Sequence, residues 1–143
     1  MKKTIPILAV LIFAIVVAAV SQTAPTRKHQ VVFQMNVDNT DSWNQLFGNI
    51  QSIHTVFGPD KIQIEVVAYG KGLSLLLKTN SAFEDRMKKA IASGVVLDAC
   101  QNSMRLRKVT TEDLFPFASQ VDSGVAELIR KQEAGWSYIR AGD

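Results

Sequence analysis

The sequence contains one cysteine in 143 residues, and this scarcity excludes several kinds of protein. A single thiol, Cys100, cannot form an intramolecular disulfide, so packing alone must hold the chain together. His54 has no partner histidine except His29, which lies in a polar segment. We therefore predict no bound metal and no cofactor, and a lone thiol is the strongest candidate for chemistry.

The net positive charge is also small once the amino terminus is set aside. Lys2 and Lys3 are two of the 16 Lys and Arg residues, which leaves 14 against 13 Asp and Glu residues in the rest of the chain. There is no basic run, and no aromatic residues are interleaved with lysines. The nearly neutral remainder therefore predicts no nucleic-acid binding.

The amino terminus has the profile of a signal peptide. Lys2 and Lys3 precede an uncharged apolar run over residues 4–20. Small residues at Ala19 and Ser21 predict cleavage after Ser21, which would make residues 1–21 the signal peptide. Without a cysteine at the cleavage site, lipoprotein processing is excluded.

Two other features of this region bear on localisation. The run is near the lower limit of roughly 17 residues for a spanning helix, so an uncleaved membrane anchor is the alternative. Either route places the rest of the chain outside the cytoplasm, as a periplasmic, secreted or outward-facing anchored domain. Residues 22–30 are polar and predict a flexible tether, with one domain over residues 31–143.

Apolar patterns after the tether alternate between strand and helix periodicity. Predicted strands cover residues 31–37, 62–68, 95–100, 118–121 and 136–139. Helices are predicted from residue 43, from a capping box at Ser81, from Asn102 or Ser103, and from Ser123. This alternation predicts a three-layer α/β/α fold with a mainly parallel sheet of about five strands.

The carboxyl ends of parallel strands would bring three loops to one rim, at residues 36–41, 69–72 and 100–103. If a helix begins at Asn102 or Ser103, its dipole would favour a thiolate at Cys100, and Arg105, Arg107 and Lys108 are near in sequence. Free cysteines are also common as small apolar fillers, and spacing alone leaves both interpretations open.

Three segments carry a resemblance to a known family. Residues 95–104 (VVLDACQNSM), 68–73 (AYGKGL) and 135–139 (GWSYI) resemble the cysteine strand, glycine loop and carboxyl-terminal ending of DsrE/DsrF-like proteins. The likeness covers roughly residues 31–140. It implies a DsrE-like, flavodoxin-like topology and assembly into trimers or hexamers, and it gives Cys100 the role of accepting and passing on sulfur as a persulfide.

The leading hypothesis is therefore an exported DsrE-like sulfur carrier, whose partners are a sulfur donor and a sulfur acceptor. Sulfurtransferase activity is one form that this function could take. The residues expected around the thiol are Tyr69, Gly70, Lys71, Asn102, Ser103 and Arg105. The alternatives are a non-catalytic binding or assembly subunit and a thiol redox sensor. Export departs from the family pattern, because the known sulfur-relay subunits work in the cytoplasm. A triad of Cys100 with His54 has no support from sequence.

Overall fold

The computed structural model describes residues 28–142; the predicted signal peptide and most of the predicted tether lie outside the described residues. Strands and helices alternate in the order β1 (His29–Met35), α1 (Thr40–Phe57), β2 (Ile62–Ala68), α2 (Glu84–Ala92), β3 (Val95–Cys100), α3 (Gln101–Arg107), β4 (Ser119–Val121), α4 (Gly124–Glu133) and β5 (Ser137–Arg140). Within this part of the chain, no helix has the length and apolar character needed to cross a membrane.

Most predicted elements are present, but several of their boundaries differ by one to three residues. β1 begins at His29, so the last two residues of the predicted tether belong to the sheet. β5 begins one residue later than predicted, at Ser137. The capping-box prediction at Ser81 is wrong: Ser81–Phe83 form a 3-10 turn that buries Phe83, and α2 starts only at Glu84 without a side-chain cap.

Within residues 28–142, the four pairings between strands of the sheet are all parallel, and the strand order is β4-β3-β2-β1-β5. The predicted α/β class with a five-stranded parallel sheet is confirmed. The order differs from the 2-1-3-4-5 order of flavodoxin in one respect, because here β1 to β4 follow one another across the sheet. Only the last crossover reverses direction, so the topological switch point lies between β1 and β5.

The two faces of the sheet are covered very differently. Alternate residues of β3 (Val95, Leu97 and Ala99) pack with α1, α2 and α3 in one large apolar core, on what we call the broad face. The other face, the α4 face, receives Val96, Asp98 and Cys100 from the same strand. Among the described helices, α4 alone packs there, over a small apolar cluster around Leu128.

A glycine loop closes the end of β2 against the end of β1. A Cβ atom on Gly72 would lie 2.2 Å from the carbonyl oxygen of Met35, so only glycine permits this approach. Gly70 has a φ of 55°, in the left-handed region that favours glycine. The loop therefore passes directly over the carboxyl rim, beside the end of β3.

Candidate functional site

The carboxyl rim brings together three residues from neighbouring strands. Ala68 pairs with Ala99 and with Met35, so the next residues along the strands, Tyr69, Cys100 and Asn36, lie side by side. Their side chains leave the sheet on the α4 face by strand alternation. The predicted gathering of the three loops at one rim is confirmed.

The thiol of Cys100 is surrounded by backbone donors. Sγ accepts hydrogen bonds from the N–H of Ser103 at 3.4 Å and from the N–H of Gly124 at 3.1 Å. These donors belong to the first turns of α3 and α4, whose positive ends stabilise negative charge. Both donors can stabilise negative charge on the sulfur, and Cys100 itself is only 3% exposed.

Cys100 is itself the N-cap of α3, which corrects the predicted cap at Asn102 or Ser103. β3 leads into α3 without an intervening loop, so the last residue of the strand occupies the capping position. Its sulfur then takes the place that a serine or aspartate oxygen takes in most helices.

Two opposing effects act on the pKa of the Cys100 thiol. Burial is the largest single influence and raises the pKa. Hydrogen bonds from the Ser103 hydroxyl and from the N–H groups of Gly124, Ser103 and Asn102 lower it. Together these hydrogen bonds outweigh burial, so the net pKa lies below the ordinary value of a thiol.

Ser103 links the glycine loop to the thiol. It is buried, and its Oγ accepts a hydrogen bond from the N–H of Gly70 at 2.8 Å. The same hydroxyl lowers the pKa of the Cys100 thiol, and the N–H of Ser103 donates to Sγ at 3.4 Å. Ser103 and Gly70, both predicted site residues, therefore form one chain of hydrogen bonds that ends on Sγ.

Tyr69 forms a wall beside the thiol. A Cβ atom on Gly124 would lie 2.8 Å from Cβ of Tyr69, so the start of α4 packs directly on this ring. Burial raises the pKa of the Tyr69 phenol, and the neighbouring Tyr138 and Cys100 raise it further against the effect of Arg140. The phenol is thus neutral at physiological pH, and its hydroxyl can donate a hydrogen bond.

The side chains of the remaining predicted site residues make no hydrogen bond to the sulfur. The Asn102 side chain accepts a hydrogen bond from Arg105 at 2.5 Å, and both residues lie toward solvent. Lys71 is exposed, and its amino group makes no hydrogen bond or ion pair with residues 28–142. Of the pocket neighbours that the sequence predicts, Ser103 and Asn102 therefore act on the thiol through their N–H groups, and Gly70 is linked to it through Ser103.

The largest influences that lower the pKa of the Cys100 thiol are hydrogen bonds, and none of these comes from the cations predicted to favour the thiolate. Arg107 instead holds the glycine loop, donating to the carbonyl oxygens of Gly70 at 3.0 Å and Lys71 at 3.3 Å. It also donates to Ser74 Oγ at 2.9 Å. This arginine is a brace for the loop.

Sequence reasoning missed the contribution of α4. The Gly124 N–H that reaches Sγ follows the correctly predicted N-cap Ser123, whose Oγ accepts from Ala126 at 3.4 Å. The N–H of Asn102 bonds the carbonyl oxygen of Asp122 and ties the start of α3 to the same turn. The cap at Ser123 was a usable signal, but its proximity to Cys100 depends on β4 pairing with β3.

The surface also has a groove that does not include Cys100. A groove of about 490 Å³ runs between α1 and α2 on the broad face, and it is lined by Phe47, Ile50, Gln51, His54, Thr55, Arg86, Lys89, Ala90 and Ser93. His54 sits in the last turn of α1, near the amino edge of the sheet. It does not meet Cys100, and no group of three or more potential metal ligands occurs within residues 28–142.

Comparison with known proteins gives consistent results. A model of the DsrE/DsrF-like family matches residues 27–141. Among solved structures, the chain is similar to MTH1491 from Methanobacterium thermoautotrophicum, a protein of unknown function, at 30% identity and a TM-score of 0.74. That match covers 79% of this chain and 99% of the other.

A second solved structure supports the fold alone. BT1422 from Bacteroides thetaiotaomicron, also of unknown function, has 16% identity and a TM-score of 0.61, over 78% of this chain and 93% of its own. No curated protein matches the sequence.

Proposed function

Because the chain belongs to the DsrE/DsrF-like family, whose members are generally related to sulfur relay, we propose that it is a sulfur carrier that uses Cys100. The observation that carries the proposal is the pair of N–H donors, from Ser103 in α3 and Gly124 in α4, that converge on Sγ. These donors favour the thiolate, which is the form that attacks sulfur.

The proposed chemistry needs no external oxidant or reductant. The Cys100 thiolate attacks the outer sulfur of a donor such as thiosulfate, the bond between the two donor sulfurs breaks, and sulfite leaves with its electron pair. Cys100 then carries a persulfide. An acceptor thiolate attacks the outer sulfur of this persulfide. The bond between Cys100 Sγ and the outer sulfur breaks, and the Cys100 thiolate leaves with the electron pair.

The surrounding residues have distinct roles in this proposal. The Ser103 hydroxyl and the Gly124 N–H stabilise the thiolate, while the Tyr69 hydroxyl is available to the incoming donor. Lys71 and Arg105 are exposed near the rim and would attract an anionic donor.

Intact-mass analysis of the purified protein after exposure to thiosulfate or a persulfide donor tests the proposal, with Cys100→Ser as the control. We expect a gain of one sulfur in the wild type alone, reversible by reductant. Absence of an adduct on a thiol that still alkylates would overturn the carrier function. Peroxide reactivity that exceeds sulfur-donor reactivity would instead favour a redox sensor.

We also propose that the protein forms a homo-oligomer, as a trimer or hexamer. The α4 face carries exposed apolar side chains on α4 and β3, namely Val125, Ile129 and Val96, which a second copy could cover. An assembly role independent of the thiol is the second candidate function. Analytical ultracentrifugation tests assembly, and a monomer at micromolar concentration would contradict it.

Export is the third part of the proposal, and it rests on the sequence of residues 1–21. Cell fractionation followed by amino-terminal sequencing should find the protein outside the cytoplasm, beginning at Gln22. Recovery with Met1 intact from the cytoplasm would contradict export, and recovery with Met1 intact from the membrane would favour the anchor.

A further inference from the structure

The neighbours of Cys100 Sγ leave little room for a second sulfur atom. Cys100 is 3% exposed, and Sγ lies 3.1 Å from the nitrogen of Gly124 and 3.4 Å from the nitrogen of Ser103. Gly124 in turn packs on Tyr69, where an added Cβ atom would lie 2.8 Å from Cβ of the tyrosine. Protein interiors are packed as densely as organic crystals, so an atom added to Sγ must displace one of these neighbours.

The size of the required movement follows from the length of an S–S bond. The outer sulfur of a persulfide lies about 2 Å from Sγ. Placed toward Gly124, it would lie far inside the contact distance of the amide nitrogen, which is 3.1 Å from Sγ. The nitrogen must therefore withdraw by about 2 Å before its N–H can donate to the outer sulfur instead.

Of the two helices that donate to Sγ, α3 is the more firmly held. Cys100 is its N-cap, so α3 is continuous with β3, and Met104 is buried in the large core of the broad face. Ser103 Oγ accepts a hydrogen bond from the N–H of Gly70, and Arg107 donates to the carbonyl oxygen of the same glycine. A movement of α3 would therefore disturb the strand, the core and the glycine loop together.

The start of α4 is held far less firmly. Leu128 is the one large buried side chain of this helix, whereas Val125 and Ile129 are 53% and 51% exposed. The turn that precedes α4 is tied to α3 by the backbone hydrogen bond from Asn102 to Asp122, at 3.2 Å. A segment with so few buried apolar contacts opens at low free energy, so the start of α4 is the side that yields.

The opposite end of α4 has stronger anchors. Lys131, in its last turn, forms an ion pair and hydrogen bond with Glu65 of β2, whose side chain is 6% exposed. Lys131 Nζ also lies 3.5 Å from a carboxylate oxygen of Glu127 and 4.3 Å from the centre of the Trp136 ring. Separating a buried ion pair leaves an uncompensated charge, so the last turn stays in place when the first turn moves.

We propose that addition of sulfur to Cys100 lifts the first turn of α4 away from Tyr69, with the ion pair of Lys131 and Glu65 as the pivot. The free thiolate seats the turn again, because only then does Sγ carry the negative charge that the Gly124 N–H stabilises. The role of this movement in sulfur relay rests on the proposed function, where it would let an acceptor distinguish a loaded carrier from an empty one. The movement itself does not, because any group added to Sγ requires it.

NMR spectroscopy of a methylthio adduct of Cys100 tests the proposal. The thiolate attacks the sulfenyl sulfur of methyl methanethiosulfonate, the S–S bond of the reagent breaks, and methanesulfinate leaves with the electron pair. The sulfur of the added S–CH3 group then lies where a persulfide has its outer sulfur. The adduct is made in urea and returned to native buffer, so its formation does not depend on access. No sulfane sulfur donor is used, so failure of the sulfur-carrier proposal and failure of this one are distinguished.

The contact between Gly124 and Tyr69 supplies the first readout. In the unmodified protein, the α-protons of Gly124 should show a nuclear Overhauser effect to the Tyr69 ring. We expect the adduct to lose this effect, and its Gly124 amide to exchange with solvent about 10-fold faster or more. The Gly70 amide, which bonds Ser103 Oγ on the α3 side, should keep its original rate. Persistence of the effect, or equal acceleration of both amides, would overturn the proposal.

The pivot is tested with the same adduct. In the wild type, the amides in the last turn of α4 should stay protected from exchange, whereas in Lys131→Gln they should lose protection together with the first turn. Glu127→Gln removes the more distant carboxylate beside Lys131 and should behave like the wild type. Loss of protection along the whole of α4 in the wild-type adduct would contradict a pivot at Lys131.

A substitution gives a second measurement that needs no adduct. The Cβ atom of Gly124→Ala would clash with Tyr69 and should hold the first turn of α4 in the lifted position. Cys100 should then react several-fold faster with iodoacetamide, once each rate is divided by the thiolate fraction. Val125→Ala, at the neighbouring exposed position, is the control and should react like the wild type. An unchanged rate in Gly124→Ala would count against the lifted turn.

Discussion

The two faces of the sheet divide stability and chemistry between them. In the part of the chain that the structure describes, the broad face buries 24 apolar residues in one core, and the α4 face buries three. The α4 face instead holds the thiol and two buried carboxylates, Glu65 and Asp98. Hydrophobic burial is the dominant favourable contribution to folding, so the broad face supplies most of the stability.

Because the broad face supplies most of the stability, the α4 face can be covered by a single helix with little buried apolar surface. A buried carboxylate costs free energy, and a lightly packed helix contributes little to offset that cost. The large core on the opposite face can tolerate both. The site therefore owes its burial to α4, while the positions of its strand residues depend on the broad core on the other face of the sheet.

The largest expected effect is the loss of stability caused by a substitution in the core of the broad face. Phe33 is fully buried in the large core, and Phe33→Ala should lower the free energy of unfolding by about 3–5 kcal/mol. Urea denaturation followed by circular dichroism measures this loss. If the alanine variant does not fold, Phe33→Leu should still show a smaller loss, and no change in either variant would contradict the assignment of stability to this face.

The sequence predicted the parallel sheet and the rim well, for a physical reason. β3 is a nearly continuous apolar run, as expected for a central strand, and the predicted bounds of β2 and β3 are confirmed. Parallel strands must all end at the same edge, so Tyr69 and Cys100 could be placed together before any coordinates. These features depend on local pattern and on topology rules alone.

What the sequence could not supply depends on long-range pairing and on direction along a helix. Gly124 reaches Sγ across 24 residues of chain because β4 lies beside β3. Arg107 stands seven residues beyond the cap, about 10 Å along the axis of α3, and so points at the glycine loop. The expectation of cations around the thiol rested on closeness in sequence, which does not imply closeness to Sγ.

A smaller effect should sharpen the contrast by loosening only the α4 face. Leu128→Ala removes the main apolar anchor of α4 and should cost about 2–3 kcal/mol, much of it through local opening. Cys100 should then alkylate several-fold faster at a fixed pH, whereas Phe33→Leu should leave that rate nearly unchanged under native conditions. An equal acceleration in both variants would mean that the thiol is exposed by global unfolding.

The smallest expected effect separates the electrostatics of the thiol from its burial. Ser103→Ala removes a hydroxyl that lowers the pKa of Cys100, so this pKa should rise, and the thiolate absorbance at 240 nm should appear at higher pH. The N–H of Gly70 also loses its partner, at a cost of about 1–3 kcal/mol in the free energy of unfolding.

A matched control for that variant is Ser74→Ala, in the 3-10 segment Gly70–Leu76 that contains the glycine loop, where the serine bonds Arg107 rather than the thiol. It should disturb the loop brace slightly and leave the titration of Cys100 where it is in the wild type. If both serine variants move the titration equally, the loop as a whole, and not the Ser103 hydroxyl, governs the thiol. If only Ser103→Ala moves it, the hydrogen-bond chain from Gly70 to Sγ is what keeps a buried sulfur ready to ionise.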